Sequence, residues 1–463
     1  MSKQFREQGG AATMDPNPIL RWITSRFMTA TSSESSQLKQ RNKAEQQRIK
    51  SASPHQIEYF HQVDDGYSHL AAQTLEQIVK RYDIRLKCYL VSGPTGANAP
   101  EPELLLKLSR YDAFHIAPYY GLQFPQHDGP ADPDLMHRAQ AVIASLLAGK
   151  SSDGFVAHAA EVGQALWNND QGFISELEQK LGFENNEKTK QSVAKGNDLR
   201  SELGHYSGAM FYYAGEWYWG VDRLYHLEQR LTELGLDRTP NKPLIAPRRS
   251  VESGPLLDDG SLTLEIYGSL RSPYTAVAFD QTVALAKKTG VTLKLLPVLP
   301  MVMRGAPMSR IKGKYILFDT GREARAAKVP FGPCFDPIGE PTRRAYSLLK
   351  WAAAQGKEIE FFSSFLKCAW IDAINVNSDR GMQKMVERAG LDWSAAKQII
   401  GNSDWQEGLE TNRLAMYEHG LWGVPSFRLI DQHGEQLLAL WGQDRLWIMA
   451  AKIQQTLQQQ NIS

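Results

Sequence analysis

The sequence predicts an α/β protein built from two tandem copies of one unit, each opening on β-α-β and closing on a β-hairpin and a helix. Three observations predict it. The chain has 463 residues, too many for one small domain, and 42% of them are hydrophobic, enough for two sizeable cores. Short β-type runs followed by helical patterns recur at a fixed offset of 207 residues. A proline-rich break, DRTPNKPLIAPRRSVESGPLLDD, separates the two ordered stretches.

Residues 1–53 come first, as a basic arm that is expected to be partly disordered. Ile19, Leu20, Trp22, Ile23 and Phe27 follow Pro16-Asn17-Pro18 at helical spacing and predict one short amphipathic helix. Thr29–Lys50 is rich in Ser, Gln, Lys and Arg, and residues 1–50 carry nine Lys/Arg against four Asp/Glu. Two readings stay open here: a solvated arm that packs on the body or is left loose, or a helix that docks on a membrane surface or a partner.

The first copy is expected over residues 54–236, a linker over 237–262 and the second copy over 263–463. Ile57-Glu58-Tyr59-Phe60 and Leu264-Glu265-Ile266-Tyr267 are the opening strands. Helical patterns begin at Tyr67 and Tyr274, and second strands follow at Ile84–Val91 and Val291–Val298. Seven of these 35 gapless pairs are identical, which alone is weak. The copies end alike, however: Trp219-Gly220-Val221-Asp222-Arg223-Leu224 matches Trp441-Gly442-Gln443-Asp444-Arg445-Leu446 at five of six positions. A long unit fixed at both ends is what a duplication leaves. Helices are expected at Thr342–Gln355, Glu360–Ala369, Arg380–Ala389 and Ser394–Ile400, then a hairpin of Ser426–Ile430 and Glu435–Trp441 around Asp431-Gln432-His433-Gly434. That order is a thioredoxin-like sheet carrying a helical insertion.

Lys+Arg number 52 and Asp+Glu 51, so bulk charge gives no argument for nucleic acid or an anionic membrane. No apolar run reaches the ~20 residues of a membrane-spanning helix, and the N-terminal stretch lacks the apolar core of a secretory signal. A cytoplasmic protein without an integral membrane segment is expected. Oligomeric state is not readable. Cys88, Cys334 and Cys368 are few, far apart and odd in number, so no disulfide framework follows. No metal site is expected: His55, His61 and His69 lack an i, i+4 pair with a third ligand. No Gly-rich phosphate loop is present either.

Three segments of the second copy can carry chemistry. Ser272-Pro273-Tyr274-Thr275 sits where the first strand ends and the first helix begins. Unpaired N–H groups and the positive dipole end stabilise an anion there, a thiolate included. Ser272 is equally a good N-cap, and proline costs little in a first turn. Val424-Pro425 follows Gly423 at the start of a strand. It fits either an ordinary edge proline or a cis bond that opens Val424's backbone to an extended ligand. Gln443-Asp444-Arg445 lies before the last helix, where Asp444 can cap that helix or hold a ligand's ammonium group. The first copy keeps Asp222 and Arg223, which favours a structural role for part of this segment.

Together, Ser-Pro-Tyr after the first strand, Gly-x-Pro before the hairpin and Gly-Gln-Asp-Arg-Leu before the last helix resemble the kappa-class glutathione transferases and the 2-hydroxychromene-2-carboxylate isomerases. These belong to the wider DsbA-like group. Lys314-Tyr315-Ile316-Leu317-Phe318-Asp319 with Arg322 and Ala324 adds to the resemblance, which spans about residues 263–452. It implies an enzyme that binds glutathione and acts on a conjugated or aromatic small-molecule electrophile as an isomerase or transferase. It also implies that Ser272 stabilises the glutathione thiolate and that Pro273 and Tyr274 line the site. Val424 would pair with the cysteinyl backbone, with Pro425 cis, and Gln443 and Asp444 would hold the γ-glutamyl end. One departure stands out: the family's Asn after the second strand is replaced by Gly305, with Arg304 beside it as a candidate substitute.

Dithiol exchange needs two cysteines at the helix start, where this chain has Ser272 and Thr275. The first copy has Asp65 in place of Ser272 and Ala209 in place of Pro425, and a carboxylate there repels a thiolate. It reads as a degenerate copy. The alternatives to the enzyme are a non-catalytic thioredoxin-like binding or scaffold protein, and a DsbA-like protein lacking the redox pair.

Overall fold

The computed structural model describes residues 15–126, 129–401 and 405–460. In chain order, α1 (Pro18–Ser32) and α2 (Glu34–Lys50) precede β1 (Gln56–His61), α3 (Gly66–Ala72), α4 (Leu75–Arg81) and β2 (Arg85–Leu90). The insertion α5 (Pro102–Ile116), α6 (Pro133–Leu146), α7 (Asp153–Trp167), α8 (Gln171–Leu181) and α9 (Asn186–Glu202) follows. The hairpin β3 (Met210–Tyr213) and β4 (Glu216–Trp219) and helix α10 (Gly220–Glu233) close the first copy.

The second copy repeats the plan with β5 (Thr263–Gly268), α11 (Pro273–Thr289) and β6 (Thr292–Pro297). Its insertion holds α12 (Arg310–Ala327), α13 (Glu340–Ala354), α14 (Glu358–Trp370), α15 (Asp379–Arg388), α16 (Trp393–Ile399) and α17 (Trp405–Glu418). It closes on β7 (Ser426–Ile430), β8 (Gln436–Trp441) and α18 (Leu446–Gln460).

Both copies are α/β units whose four-stranded sheets share one strand order, β2-β1-β3-β4 and β6-β5-β7-β8. The opening pairs β1/β2 and β5/β6 are parallel and the remaining pairs antiparallel. Parallel pairing follows from the intervening helices, which carry the chain back along the sheet before the next strand begins. Tandem thioredoxin-like domains with helical insertions account for this arrangement. Leu264, Ile266 and Tyr267 of β5 are buried, with Val277, Ala278, Phe279 and Leu285 of α11. Each Val, Leu, Ile or Phe side chain among them contributes about 1.5–3 kcal/mol on leaving water.

The chain divides into two compact units. One takes the described residues up to Gln37 and those from Ser250 onward; the other is Leu38–Arg249. The proline-rich stretch is tied down on each side of that division. Within the first-copy unit, Arg81 pairs with Asp237 at 2.9 Å and donates to the Pro243 carbonyl at 2.5 Å. Within the other, the Gln454 amide bonds both the Leu256 N–H and its carbonyl, at 3.0 and 2.9 Å.

Three features differ from the sequence reading. The arm holds two helices in place of one short one, because Ser35–Lys50 has no Gly or Pro and is rich in Gln, Lys and Arg, all good helix formers. Helix α1 also docks by its polar face. Arg21 donates to the Asp336 and Ile338 carbonyls, and Ser25 and Thr29 accept from the Asp336 and Cys334 N–H groups. Its apolar side chains Ile19, Leu20, Trp22, Ile23 and Phe27 are left 51–73% exposed. Third, the opening helix of the first copy is interrupted between Ala72 and Leu75, whereas α11 is continuous over 17 residues.

Candidate functional site

The site begins with two parallel strands, β5 and β6, whose carboxyl ends lie at one edge of the sheet. In open α/β sheets that edge is where ligands bind. Three hydrogen bonds fix the loops leaving it. Val298 N–H donates to the Gly268 carbonyl at 2.8 Å. The buried Tyr346 hydroxyl accepts from Leu270 N–H at 3.2 Å and donates to the Val298 carbonyl at 3.0 Å.

Ser272 follows this loop and caps α11. Its Oγ accepts from Thr275 N–H at 3.1 Å, with Pro273 in the first turn. The same hydroxyl donates to the Val424 carbonyl at 3.2 Å. That bond is long for an O–H···O contact, whose usual length is about 2.7–2.8 Å. The Val424–Pro425 peptide is cis, and the Pro425 carbonyl accepts from Gly442 N–H at 3.0 Å. Gly423 is required by space: a Cβ there would stand 2.3 Å from the Trp441 indole nitrogen. Residues 272, 424, 425 and 442, far apart in sequence, therefore converge on one edge.

Helix α12 supplies the floor. Tyr274 donates to Asp319 at 2.7 Å, and Arg322 clamps the other Asp319 oxygen at 2.6 and 2.9 Å. Asp319 and Arg322 are both buried. Gln443 is buried too, and its amide donates to Glu323 at 2.8 Å. Asp444 is half-buried and pairs with Arg445 at 3.5 Å. Lys312 is buried with its ammonium 5.0 Å from the centre of the Trp422 ring, and burial pushes its pKa down to about 8. Trp422 is two residues before Val424, so Lys312 brings a cation to the loop that Ser272 touches.

The expected site residues thus fall into two groups. Ser272, Val424 and Pro425 meet directly. Tyr274, Gln443 and Asp444 each have protein partners, and the first two are anchored to α12. The sequence reading missed Lys312, Glu323 and Trp422. Lys312, Asp319, Arg322 and Glu323 recur at helical spacing on one buried face, a signal that was available but polar, so apolar periodicity does not register it. Gly305 has φ 85° and closes a 3₁₀ turn, with Arg304 buried beside it.

The cysteines lie elsewhere. All three are buried, and burial pushes the Cys334 thiol up to about 12 and raises Cys88 and Cys368. Such thiols are poor nucleophiles. Among the described residues no group of three His, Cys, Asp or Glu side chains could hold a metal ion. No helix among them is long and apolar enough to cross a membrane.

In the first copy the same scaffold carries different chemistry. Asp65 caps α3, accepting from Ser68 N–H at 2.9 Å and Ser68 Oγ at 2.8 Å. Burial raises its carboxyl to about 6. Tyr67 donates to Asp112 at 2.7 Å, the counterpart of Tyr274–Asp319 at the 207-residue offset. Ala209 replaces Pro425, and its carbonyl accepts from Gly220 N–H at 2.7 Å as Pro425 does from Gly442.

No curated protein matches the chain. Solved structures similar to it include a 2-hydroxychromene-2-carboxylate isomerase, at 17% identity and TM-score 0.36 over 43% of this chain and 99% of that one. Another is a probable DsbA oxidoreductase from Streptomyces coelicolor, at 17% identity and TM-score 0.33 over 42% and 90%. A third is a cytosolic disulfide reductase from Pseudomonas aeruginosa, at 16% identity and TM-score 0.34 over 43% and 100%. The sequence family of the DSBA-like thioredoxin domain matches residues 263–454, from the first residue of β5 into α18.

Proposed function

We propose that the second unit is a glutathione-dependent isomerase or transferase of the kappa-class kind, acting on a conjugated or aromatic electrophile. The observation that carries this reading is the Ser272 hydroxyl. It stands at the positive end of a 17-residue helix and touches the Val424 carbonyl beside a cis proline. Its one hydrogen is held by a long, neutral bond. A thiolate is a charged acceptor and draws that hydrogen away, because charge-assisted bonds are roughly twice as strong as neutral ones.

The residues present fit the sulfur end of glutathione. Ser272 and the α11 N-terminus stabilise negative charge on sulfur, and the nearby Lys312 ammonium adds to the field. Val424 offers a strand edge to the cysteinyl backbone, and half-buried Asp444 faces the amino end. When bound, glutathione supplies a thiolate nucleophile that adds to the electrophile and is either expelled after bond rotation or retained in the product. The protein's part is to hold the sulfur deprotonated, orient the cysteinyl backbone and leave its own buried cysteines out of the reaction.

The test is calorimetric titration of glutathione into the full chain and the Ser272→Ala variant, with thiolate ultraviolet absorbance read alongside. Binding accompanied by thiolate absorbance, weakened in the variant, is expected. If millimolar glutathione neither binds nor shifts the melting temperature, the proposal fails. A second reading, a non-catalytic binding protein, is favoured by Gly305 at the family's Asn position and by the altered first copy. It predicts no thiolate signal.

A further inference from the structure

We propose that helix α1 pairs with the same helix of a second copy of this chain, apolar face against apolar face, and makes the protein a two-fold dimer. The helix is seated on its own unit by its other side, where Arg21, Ser25, Met28 and Ser32 are buried. Hydrogen bonds between Arg21, Ser25 and Thr29 and residues 334–338 hold its length, and Arg325 donates to the Ser32 carbonyl at 2.9 Å at its end. The fit is close, since a Cβ on Gly321 of α12 would stand 2.2 Å from that carbonyl. Rolling the helix to turn its apolar side inward would break these contacts.

Area argues for a protein partner. Ile19, Leu20, Trp22, Ile23 and Phe27 together leave on the order of 600 Å² open to water, the upper end for the largest apolar patch of an ordinary monomer. Two such faces laid together remove roughly 1,200 Å², where stable protein–protein interfaces begin. Shape agrees with area. Ile19, Ile23 and Phe27 stand at i, i+4 and i+8 and form one ridge along the helix, and ridges of this kind from two helices interlock at about −50°. Trp22 and Phe27, 62% and 51% exposed, are side chains of the type enriched at such interfaces.

Charge selects a second copy over a lipid surface. Between Pro18 and Ser33 the charged residues are Arg21 and Arg26. Arg21 is buried and paired with Asp15, and the exposed Arg26 lies over the Trp22 ring at 5.3 Å. Farther along the arm, Arg41 pairs with Glu216 and Arg48 with Glu45. A single exposed cation on the face gives an anionic bilayer little to hold, since such binding gains from clustered basic residues. A face with so little charge is instead complementary to itself. A two-fold contact requires that, because each copy presents the same patch to the other. The rigid seat helps as well, since a preformed surface loses little freedom on association.

Sedimentation equilibrium of the full chain over a range of concentration tests the pairing. The variant carries Trp22→Glu with Phe27→Glu, and the control is Phe183→Glu, at an exposed phenylalanine elsewhere. Wild type and control are expected at twice the 52.0 kDa chain mass. The variant should associate roughly 100-fold or more weakly, the scale of losing two aromatic anchors, and sediment as a single chain. Both substituted positions face solvent in the single chain, so the variant's circular dichroism should match that of wild type. The wild-type melting temperature should rise with protein concentration and the variant's should not. Wild type that stays a single chain overturns the proposal. So does a dimer that the variant leaves intact or that the control also dissolves. Two further arms address the other occupants. Single chains that co-sediment with phosphatidylcholine–phosphatidylserine vesicles, and lose this in the variant, would assign the face to lipid. A dimer that forms only after residues 1–14 are removed would assign it to that segment. Either result overturns pairing in the native chain.

Discussion

Ser272 and Asp65 occupy the same backbone position in the two copies, and both cap the helix that follows. The surroundings are shared to a fine degree. Tyr274–Asp319 and Tyr67–Asp112 are both 2.7 Å, and the bonds from Val298 to Gly268 and from Val91 to His61 are 2.8 and 2.9 Å. What differs is charge and reach. Ser272 offers a neutral hydroxyl that touches the hairpin loop, whereas Asp65 turns its carboxylate back onto Ser68. The comparison teaches that a cap alone does not call for serine, since the fold keeps its cap with an aspartate. In the second copy the capping hydroxyl also reaches the Val424 carbonyl. The first copy has also moved away in its backbone. Ala209 has φ 54°, which proline, fixed near −65°, cannot adopt, so no single substitution restores the second copy's loop.

The largest expected effect breaks what the copies share. Asp319→Ala leaves buried Arg322 without its carboxylate and should lower the stability of the second unit by about 3–5 kcal/mol, read by denaturant unfolding. A loss under ~1 kcal/mol, the scale of an exposed pair, would show that the α12 platform is not held by this cluster.

Next comes the difference at Asp65. Burial moves its carboxyl from 3.8 to about 6. The folded state therefore holds the proton more tightly than the unfolded chain, and the contribution to stability falls as pH rises from about 4 to about 6. Above that range the ionised carboxylate costs about 3 kcal/mol, at 1.36 kcal/mol per pKa unit. Asp65→Asn keeps a capping oxygen and removes the charge. It should stabilise the first unit at pH 7 and leave it unchanged below pH 4. Equal effects at both pH values would place the cost elsewhere.

The smallest effect is at Ser272. Ser272→Ala should cost about 1 kcal/mol of stability through the lost cap, while weakening glutathione roughly tenfold or more through the lost donor to sulfur. A stability loss without an affinity loss would make Ser272 a cap and no more.

Much of the fold is legible because both copies announce their strands by short apolar runs bounded by turn residues, and the Trp-Gly-x-Asp-Arg-Leu ending fixes the repeat. The meeting of Ser272 with Val424-Pro425 is legible for the same reason: each sits at a strand end that the topology brings to one edge. Helix α12 is not, because the face it buries carries Lys312, Asp319, Thr320, Arg322 and Glu323. Helix α1 shows the converse, with apolar residues at helical spacing that face outward while Arg21, Ser25 and Ser32 are buried. Periodicity locates a helix but does not say which side the body will take when polar groups find specific partners. The Gln443–Glu323 contact spans 120 residues and belongs to tertiary structure alone.

The central claim is that the second copy alone carries a serine-type glutathione site. Isothermal titration of the full chain with glutathione, repeated on Ser272→Ala and on Asp65→Ser, tests it most directly. The account predicts one equivalent bound per chain, accompanied by thiolate absorbance, weakened by Ser272→Ala and unaltered by Asp65→Ser. Two equivalents, none, or a single site indifferent to Ser272 would contradict it.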